Sequence, residues 1–168
     1  MHIESMELMK GFVDKYLDKN KQLRILDVGS QRVKAQSMTY KNFMSDNWKY
    51  EGLDIAEGLN VDIVVKDPYE WKEVKYETYD VVISGQALEH AKFPWLVMQE
   101  IARVVKYKGL VCIIVPSQGF EHRFPLDCFR YLPDGGRALF EYAGLEVIEC
   151  YRNNSLPWRD LIIIGRKV

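Results

Sequence analysis

Apolar positions follow two different rhythms along this chain. From Ile3 to about Lys19 they recur at Met6, Met9, Val13 and Tyr16 or Leu17, the three-and-four spacing of a helix with one buried face. This predicts an N-terminal helix over 3–19, packed on the core. The rhythm then changes to short continuous apolar runs: Leu23–Val28, Tyr50–Ile55, Asp62–Val65, Tyr79–Ser84 and Gly109–Pro116. Runs of that length without alternation are what strands buried on both faces look like, and several in succession predict a parallel sheet.

Two helices are predicted between and after these strands. Pro94 opens a segment carrying Trp95, Met98, Ile101, Ala102 and Val105, with Gly109 as its stop, a pattern that reads as a crossover helix. Pro133–Ala143 forms the next, with Gly144 as a C-terminal stop and with Gly135 and Gly136 weakening its first turn. Leu145–Arg152 and Asp160–Val168 read as strands six and seven. Only Asn153 to Arg159 lie between them, whereas a parallel crossover needs about a dozen residues or more. The last strand is therefore expected to run antiparallel. The fold class that follows is α/β, a Rossmann-like three-layer sandwich whose seven-stranded sheet is mostly parallel with an antiparallel last strand.

Composition narrows the function. With 168 residues and 48% apolar side chains, the chain has enough material for one full core, and we expect a single domain over 1–168. Lys plus Arg (23) nearly cancel Asp plus Glu (24), so there is no electrostatic footprint for a polyanion and nucleic acid is not expected as a partner. The basic positions Lys10, Lys15, Lys19, Lys21 and Arg24 read as a solvated helix face. Cys112, Cys128 and Cys150 share no metal-binding or disulfide spacing, so no metal is expected. Neither a signal segment nor an apolar run of about 20 residues is present in the sequence, and the expectation is a cytoplasmic protein with no membrane association.

In an open parallel sheet the ligand crevice lies beyond the carboxyl ends of the strands. The residues there are Asp27, Val28, Gly29, Ser30 and Gln31 after the first strand, Asp54 and Ile55 after the second, Asp67 and Pro68 after the third, and Ser84, Gly85 and Gln86 after the fourth. A dinucleotide site needs three closely spaced glycines to admit a pyrophosphate, and here only Gly29 is present. An acid at the first strand end also repels that anion, by about 4 kcal/mol for unit charges about 4 Å apart at an effective dielectric near 20. A phosphate-free ligand with an amine and a sulfonium turns the same carboxylate into an attraction, and S-adenosylmethionine is such a ligand. Asp54 stands 25 positions after Gly29, close to the roughly 20 at which a second-strand acid meets ribose hydroxyls. Asp67 is placed to accept from the exocyclic amine of adenine.

The runs ILDVGS, YEGLDIAEGLNVDIVVKDPYEW, YDVVISGQALEH and EHRFPLDCFRYLPDGGRAL, in that order, resemble small bacterial class I S-adenosylmethionine-dependent methyltransferases of UbiE/UbiG-like type, over Leu23 to Val168. The resemblance implies a cofactor half over 23–90 and a substrate-side half over 91–168. It also implies that Asp27, Gly29 and Ser30 line the methionine end, Asp54 and Ile55 the ribose and adenine, Asp67 with Pro68 the adenine amine and ring, and Gly85 with Gln86 the sulfonium. Three departures stand out. Gln31 and Val33 replace glycines of the usual glycine-rich loop, Pro68 lacks a backbone donor so that Tyr69 would have to substitute, and Arg32–Trp48 lacks the periodicity of the family's long helix at that place.

Methyl transfer from a sulfonium is an in-line displacement that asks mainly for positioning. A hydroxyl acceptor benefits from a base, whereas an amine does not need one before transfer. His90 and His122 are the candidate catalytic groups, against the plainer reading of His90 as a packing residue near the Pro94 helix. Arg123, Arg130 and Tyr131 are candidate acceptor contacts, with an arginine paired to Asp127 as the alternative. Trp95, Phe120 and Phe124 read as core or loop packing. The chain has no spare length for an inserted cap, which favours an open site for a bulky or carrier-linked acceptor, or one completed in a homodimer. The expected function is O-methylation of a small-molecule or carrier-linked acceptor of the carbohydrate or secondary-metabolite kind. The alternatives are N-methylation of a small molecule, protein or RNA and, in another class, a non-catalytic cofactor-binding or assembly module.

Overall fold

The computed structural model describes residues 2–32 and 36–168. Its helices are α1 (Ile3–Tyr16), α2 (Pro94–Val104) and α3 (Pro133–Tyr142). Its strands are β1 (Arg24–Val28), β2 (Lys49–Asp54), β3 (Ile63–Val64), β4 (Tyr79–Gly85), β5 (Val105–Val115), β6 (Leu145–Arg152) and β7 (Leu161–Lys167). They form one sheet in the order β3-β2-β1-β4-β5-β7-β6. The pairings β1–β2, β1–β4, β2–β3 and β4–β5 are parallel, and β7 runs antiparallel to both β5 and β6. The short 153–160 connection thus enforces the antiparallel last strand that its length predicts.

Adjacent apolar residues in each central strand serve opposite faces, because side chains alternate along a strand. Ile25, Val81, Ile83, Cys112, Ile114, Ile162 and Ile164 face α1, where Met9, Phe12 and Val13 cover them. Leu26, Val82, Val111, Ile113, Leu161 and Ile163 face the opposite layer, with Val97, Met98 and Ile101 of α2 and Phe140 of α3. That division explains the continuous apolar runs in the sequence.

Two boundaries differ from the sequence reading. Helix α1 ends at Tyr16 instead of Lys19, since Leu17 is already extended. Gly109 does not stop the crossover helix: β5 begins at Val105, directly on the C-cap of α2. Val105 pairs with Tyr79, the register shifts before Leu110 meets Val81, and Lys108 takes up a left-handed φ of 63° at the irregularity. In this early stretch Lys106 forms a 2.7 Å ion pair with Asp80 on β4. Among the described residues of the 32–48 stretch, the only helical feature is a 3-10 turn at Tyr40–Phe43. Val33, one of the two glycine replacements, lies outside the described residues. Gly144, with φ of 72°, ends α3 as its sequence signal predicts.

Phe140 is the anchor of α3 and is 1% exposed. Phe140→Ala is expected to lower the unfolding free energy by about 3–5 kcal/mol, measured as a fall in the urea midpoint at unchanged slope.

Candidate functional site

The strand ends divide the crevice into two sides. On the first side lie the ends of β1, β2 and β3. Gly29 has φ of 76°, and a Cβ built on it would come within 2.3 Å of Ala87 Cβ, so only glycine lets the loop after β1 meet the turn after β4. The Gly29 and Ser30 amides both donate to Leu53 O, at 2.9 and 3.2 Å, which ties this loop to β2. The Ser30 hydroxyl donates to Asn60 O at 2.8 Å and is buried, facing the β2–β3 connection. Gln31 sends its side-chain amide to Glu57 O at 3.0 Å, so the loop that lost its glycines is braced against the following segment.

Asp54 caps this arrangement. Its carboxylate accepts from the Gln31 amide (3.0 Å) and from its own neighbour Ile55 (2.8 Å), and each oxygen retains acceptor capacity toward the half-exposed crevice. Ile55 beside it is 57% exposed, an apolar surface at the mouth. Asp67 is exposed and accepts the Tyr69 amide at 2.8 Å, a turn that needs no donor from Pro68. Tyr69 packs on Phe93, with ring centroids 5.3 Å apart.

Asp27 lies deeper, on the α1 face of β1, where it is 2% exposed. Burial raises its carboxyl to about 7, against a lowering by the Tyr50 hydroxyl that donates to it at 2.5 Å and a further raising by the charge of Asp54. Tyr40, from the 3-10 turn, lies over Gly85, where a Cβ would fall 1.8 Å from its hydroxyl oxygen, and that hydroxyl is 2.6 Å from Ser5 Oγ on α1.

The second side lies beyond β4, β5 and β7. Gln86, left-handed at φ of 57°, donates its side-chain amide to Asp160 Oδ1 at 3.1 Å. Asp160 is fully buried, and His2 Nε2 stands 3.4 Å from its other oxygen; burial raises its carboxyl above the usual range. Glu89 is also fully buried, and neither carboxylate oxygen has a hydrogen-bond partner among the described residues. Burial lifts its carboxyl to about 8, against the opposing charge of Arg130. His90 Nε2 is 3.7 Å and His122 Nε2 4.0 Å from Glu89 Oε1, and the two imidazoles meet edge to face at 5.1 Å. Burial lowers the pKa of His90, which favours its neutral form. The structure thus brings together His90 and His122, which are 32 positions apart in sequence.

The remaining candidate residues have partners within the protein. Arg130 forms a two-pronged pair with Asp127 at 2.6 and 2.7 Å, which holds the Asp127 carboxyl well below the usual range. Arg130 also donates to Phe120 O at 2.7 Å. The Tyr131 hydroxyl donates to Leu88 O at 2.9 Å, clamping the 116–132 loop to the turn after β4. Arg123 is exposed and pairs with Glu121 at 2.6 Å. Phe120 packs on Trp158, whose ring also meets His122 and stacks on His2. Trp95 and Phe124 reach the surface rather than the core. Sequence reasoning missed Glu89, Asp160, Trp158 and His2. The adjacent Glu89–His90 pair was the one local signal, and the other three acquire meaning only when the 153–160 connection folds over the strand ends.

Residues 26–113, more than half of the chain, match the family model described as a methyltransferase domain, Methyltransf_11. No curated protein matches significantly. Among solved structures, 1,6-didemethyltoxoflavin-N1-methyltransferase of Burkholderia thailandensis, bound to 1,6-didemethyltoxoflavin and S-adenosylhomocysteine, is similar with a TM-score of 0.73 at 14% identity, over 98% of this chain and 78% of that one. A SAM dependent methyltransferase from Aquifex aeolicus gives 0.65 at 15% identity, over 98% and 97%. The [4+2]-cyclase SpnF gives 0.73 at 15% identity, over 96% and 80%. At these identities the likeness is one of fold. Among the described residues no helix is long and apolar enough to cross a membrane.

The buried Asp27 makes a prediction for the ligand-free protein. Its carboxyl keeps its proton in the folded state up to about pH 7, whereas an unfolded aspartate ionises near 3.9. Folding therefore takes up a proton between those values, and stability falls as pH rises through the window by at most about 1.4 kcal/mol per pH unit. Asp27→Asn is expected to flatten the decline of the urea midpoint between pH 4 and pH 7. Parallel curves for the two proteins would show that Asp27 is already ionised in the fold.

Proposed function

The chain belongs to the methyltransferase-domain family, and from that premise we propose that it is an S-adenosylmethionine-dependent methyltransferase acting on a hydroxyl group of a small-molecule or carrier-linked acceptor. The observation that carries this reading is the two-sidedness of the crevice. Strand-end acids without a phosphate cradle stand on one side, and a buried Glu89–His90–His122 cluster on the other.

When bound, S-adenosylmethionine supplies an electrophilic methyl on a sulfonium, open to in-line attack. The residues on the first side suit that molecule. Asp54 has acceptor capacity for two ribose hydroxyls, exposed Ile55 offers apolar surface to a purine, Asp67 faces outward to accept an amine proton, and Asp27 is the carboxyl that a methionine ammonium would favour in its ionised form. Gly29, Ser30, Pro68, Gly85 and Gln86 shape the walls. On the second side, the Glu89–His90–His122 cluster assists loss of the acceptor's hydroxyl proton. That cluster favours oxygen over nitrogen as the acceptor atom, because a neutral amine attacks without prior loss of a proton. The Burkholderia enzyme, an N1-methyltransferase, shows how close the nitrogen alternative stands in fold. Arg123, free of the Asp127 pair, is the cation left to meet an anionic acceptor, while the guanidinium of Arg130 holds Asp127 and the loop.

Calorimetric titration with S-adenosylmethionine and S-adenosylhomocysteine tests the cofactor assignment. Asp54→Ala is expected to weaken both by about tenfold to a hundredfold, since a hydrogen bond to a charged group contributes about 1.5–3 kcal/mol. Absence of binding by the unaltered protein overturns the reading. For the acceptor, His90→Gln is expected to lower turnover by about 10²–10⁴ with the affinity for S-adenosylhomocysteine retained. Unchanged turnover would point to an amine.

A further inference from the structure

The side chains of Glu89, His90 and His122 converge in the second side of the crevice. His90 Nδ1 lies 2.5 Å from Leu126 O, so it must donate there, and its Nε2 presents a lone pair toward Glu89. His122 Nδ1 lies 3.4 Å from Phe120 O and 3.5 Å from Asp127 Oδ2. In the tautomer that carries its proton on Nδ1, facing these two oxygens, Nε2 turns a lone pair toward Glu89. Arg130 Nη2, 3.3 Å from the same Nδ1, is already committed to Asp127. Glu89 offers only acceptor oxygens when ionised, both buried and without a hydrogen-bond partner among the described residues.

A buried carboxylate demands a hydrogen bond or a positive charge when it ionises, and a cation bound among these three groups supplies one. The Glu89–His90 and Glu89–His122 separations of 3.7 and 4.0 Å are too long for hydrogen bonds, which span about 2.7–3.2 Å. They are close to the distance across a shared ion: bonds of about 2.0–2.1 Å to a tetrahedral zinc put neighbouring ligand atoms about 3.3 Å apart. One ligand atom from each of the three residues already lies within 4.8 Å of the other two. The outer groups fit as well, since metal-binding imidazoles hand their remaining N–H to a carbonyl or carboxylate: Leu126 O accepts from His90 Nδ1, and Asp127 Oδ2 lies 3.5 Å from His122 Nδ1.

We propose that Glu89, His90 and His122 form a divalent transition-metal site of the zinc or cobalt kind, with a coordination position left open toward the acceptor. Two imidazoles and a carboxylate are the donor set for such ions, and three protein ligands with one open position are the mark of a site that works on a bound molecule. This deepens the reading of the chamber as the acceptor side and rests on it for its role. A cation there holds the acceptor oxygen and acidifies its hydroxyl, so the O–H bond breaks with the proton released to water. The oxygen lone pair then forms the bond to the methyl carbon as the carbon–sulfur bond breaks with its electrons remaining on sulfur. It also departs from the sequence expectation of no metal, which came from cysteine spacing alone.

The test is titration of chelator-treated protein with Zn²⁺ by calorimetry and with Co²⁺ by visible absorption, beside a separate titration with S-adenosylhomocysteine. We expect one Zn²⁺ per chain, an affinity at least tenfold weaker in both Glu89→Gln and His122→Ala, and no change in Cys128→Ser, which removes the exposed thiol. In the unaltered protein, Zn²⁺ should shift the imidazole signals of His90 and His122 and leave that of His2 in place, a readout that does not depend on any variant folding. Absence of Zn²⁺ binding, binding unaffected by both substitutions, or unshifted His90 and His122 signals each overturns the proposal. Zn²⁺ bound at these residues without any affinity for S-adenosylhomocysteine would leave the metal site standing and remove the methyltransferase reading.

Discussion

The turn after β4 is held from both sides, and the site depends on that restraint. Below it, Ala87 touches Gly29, a contact only a glycine permits. Above it, the carbonyl of Leu88 receives the Tyr131 hydroxyl and the carbonyl of Glu89 receives the amides of Cys128 and Phe129. With its backbone clamped between the loop after β1 and the 116–132 loop, the turn cannot swing Glu89 out to water. A carboxyl group is thereby kept in a place it would otherwise leave, and both histidines close on it. Preorganisation of this kind, with the cost of desolvation met when the chain folds, is how a protein presents a polar group to a bound molecule with little further rearrangement.

The same turn separates two electrostatic settings. Toward β1–β3 the acids are near the mouth or hydrogen-bonded, as Asp54 and Asp67 are. Toward β5 and β7, Glu89 and Asp160 are fully buried and their carboxyls are raised. One crevice thus offers solvated acceptors at the ends of β2 and β3, a buried but hydrogen-bonded carboxyl at Asp27, and poorly compensated ones toward β5 and β7. This difference follows from topology: β7 enters the sheet antiparallel between β5 and β6, and the connection leading to it closes over only one half of the strand ends.

The architecture was readable in the sequence because it rests on local quantities: unbroken apolar runs for buried strands, seven residues too few for a crossover, Pro94 and Gly144 at helix limits. What failed locally was the start of β5, where Val105 to Lys108 look like the end of a helix in sequence but lie beside β4 in the fold, with Lys106 paired to Asp80. The site was half legible. Asp27, Asp54 and Asp67 announce themselves by following strands, and His90 by following the fourth. Glu89 beside it was passed over because an acid next to a histidine is an ordinary turn pair in one dimension. Its character depends on burial by residues 30 to 70 positions away, and neither Trp158 nor Asp160 has any signature before the hairpin folds.

The connection between β6 and β7 is anchored at its base by the Asn153 amide on Asp160 O, 2.9 Å apart, and both flanking strands are paired along their length. Lengthening a loop whose ends are already fixed costs little, about 0.6 kcal/mol for each doubling. Trp158 sits within it, and Asp160 at its root. The ring that packs on His122 and the acid that pairs with Gln86 can therefore be changed through insertions and exchanges in one hairpin while β1, β2 and the acids at their ends stay untouched. Evolution, or an engineer, can retune what this scaffold accepts without renegotiating how it folds.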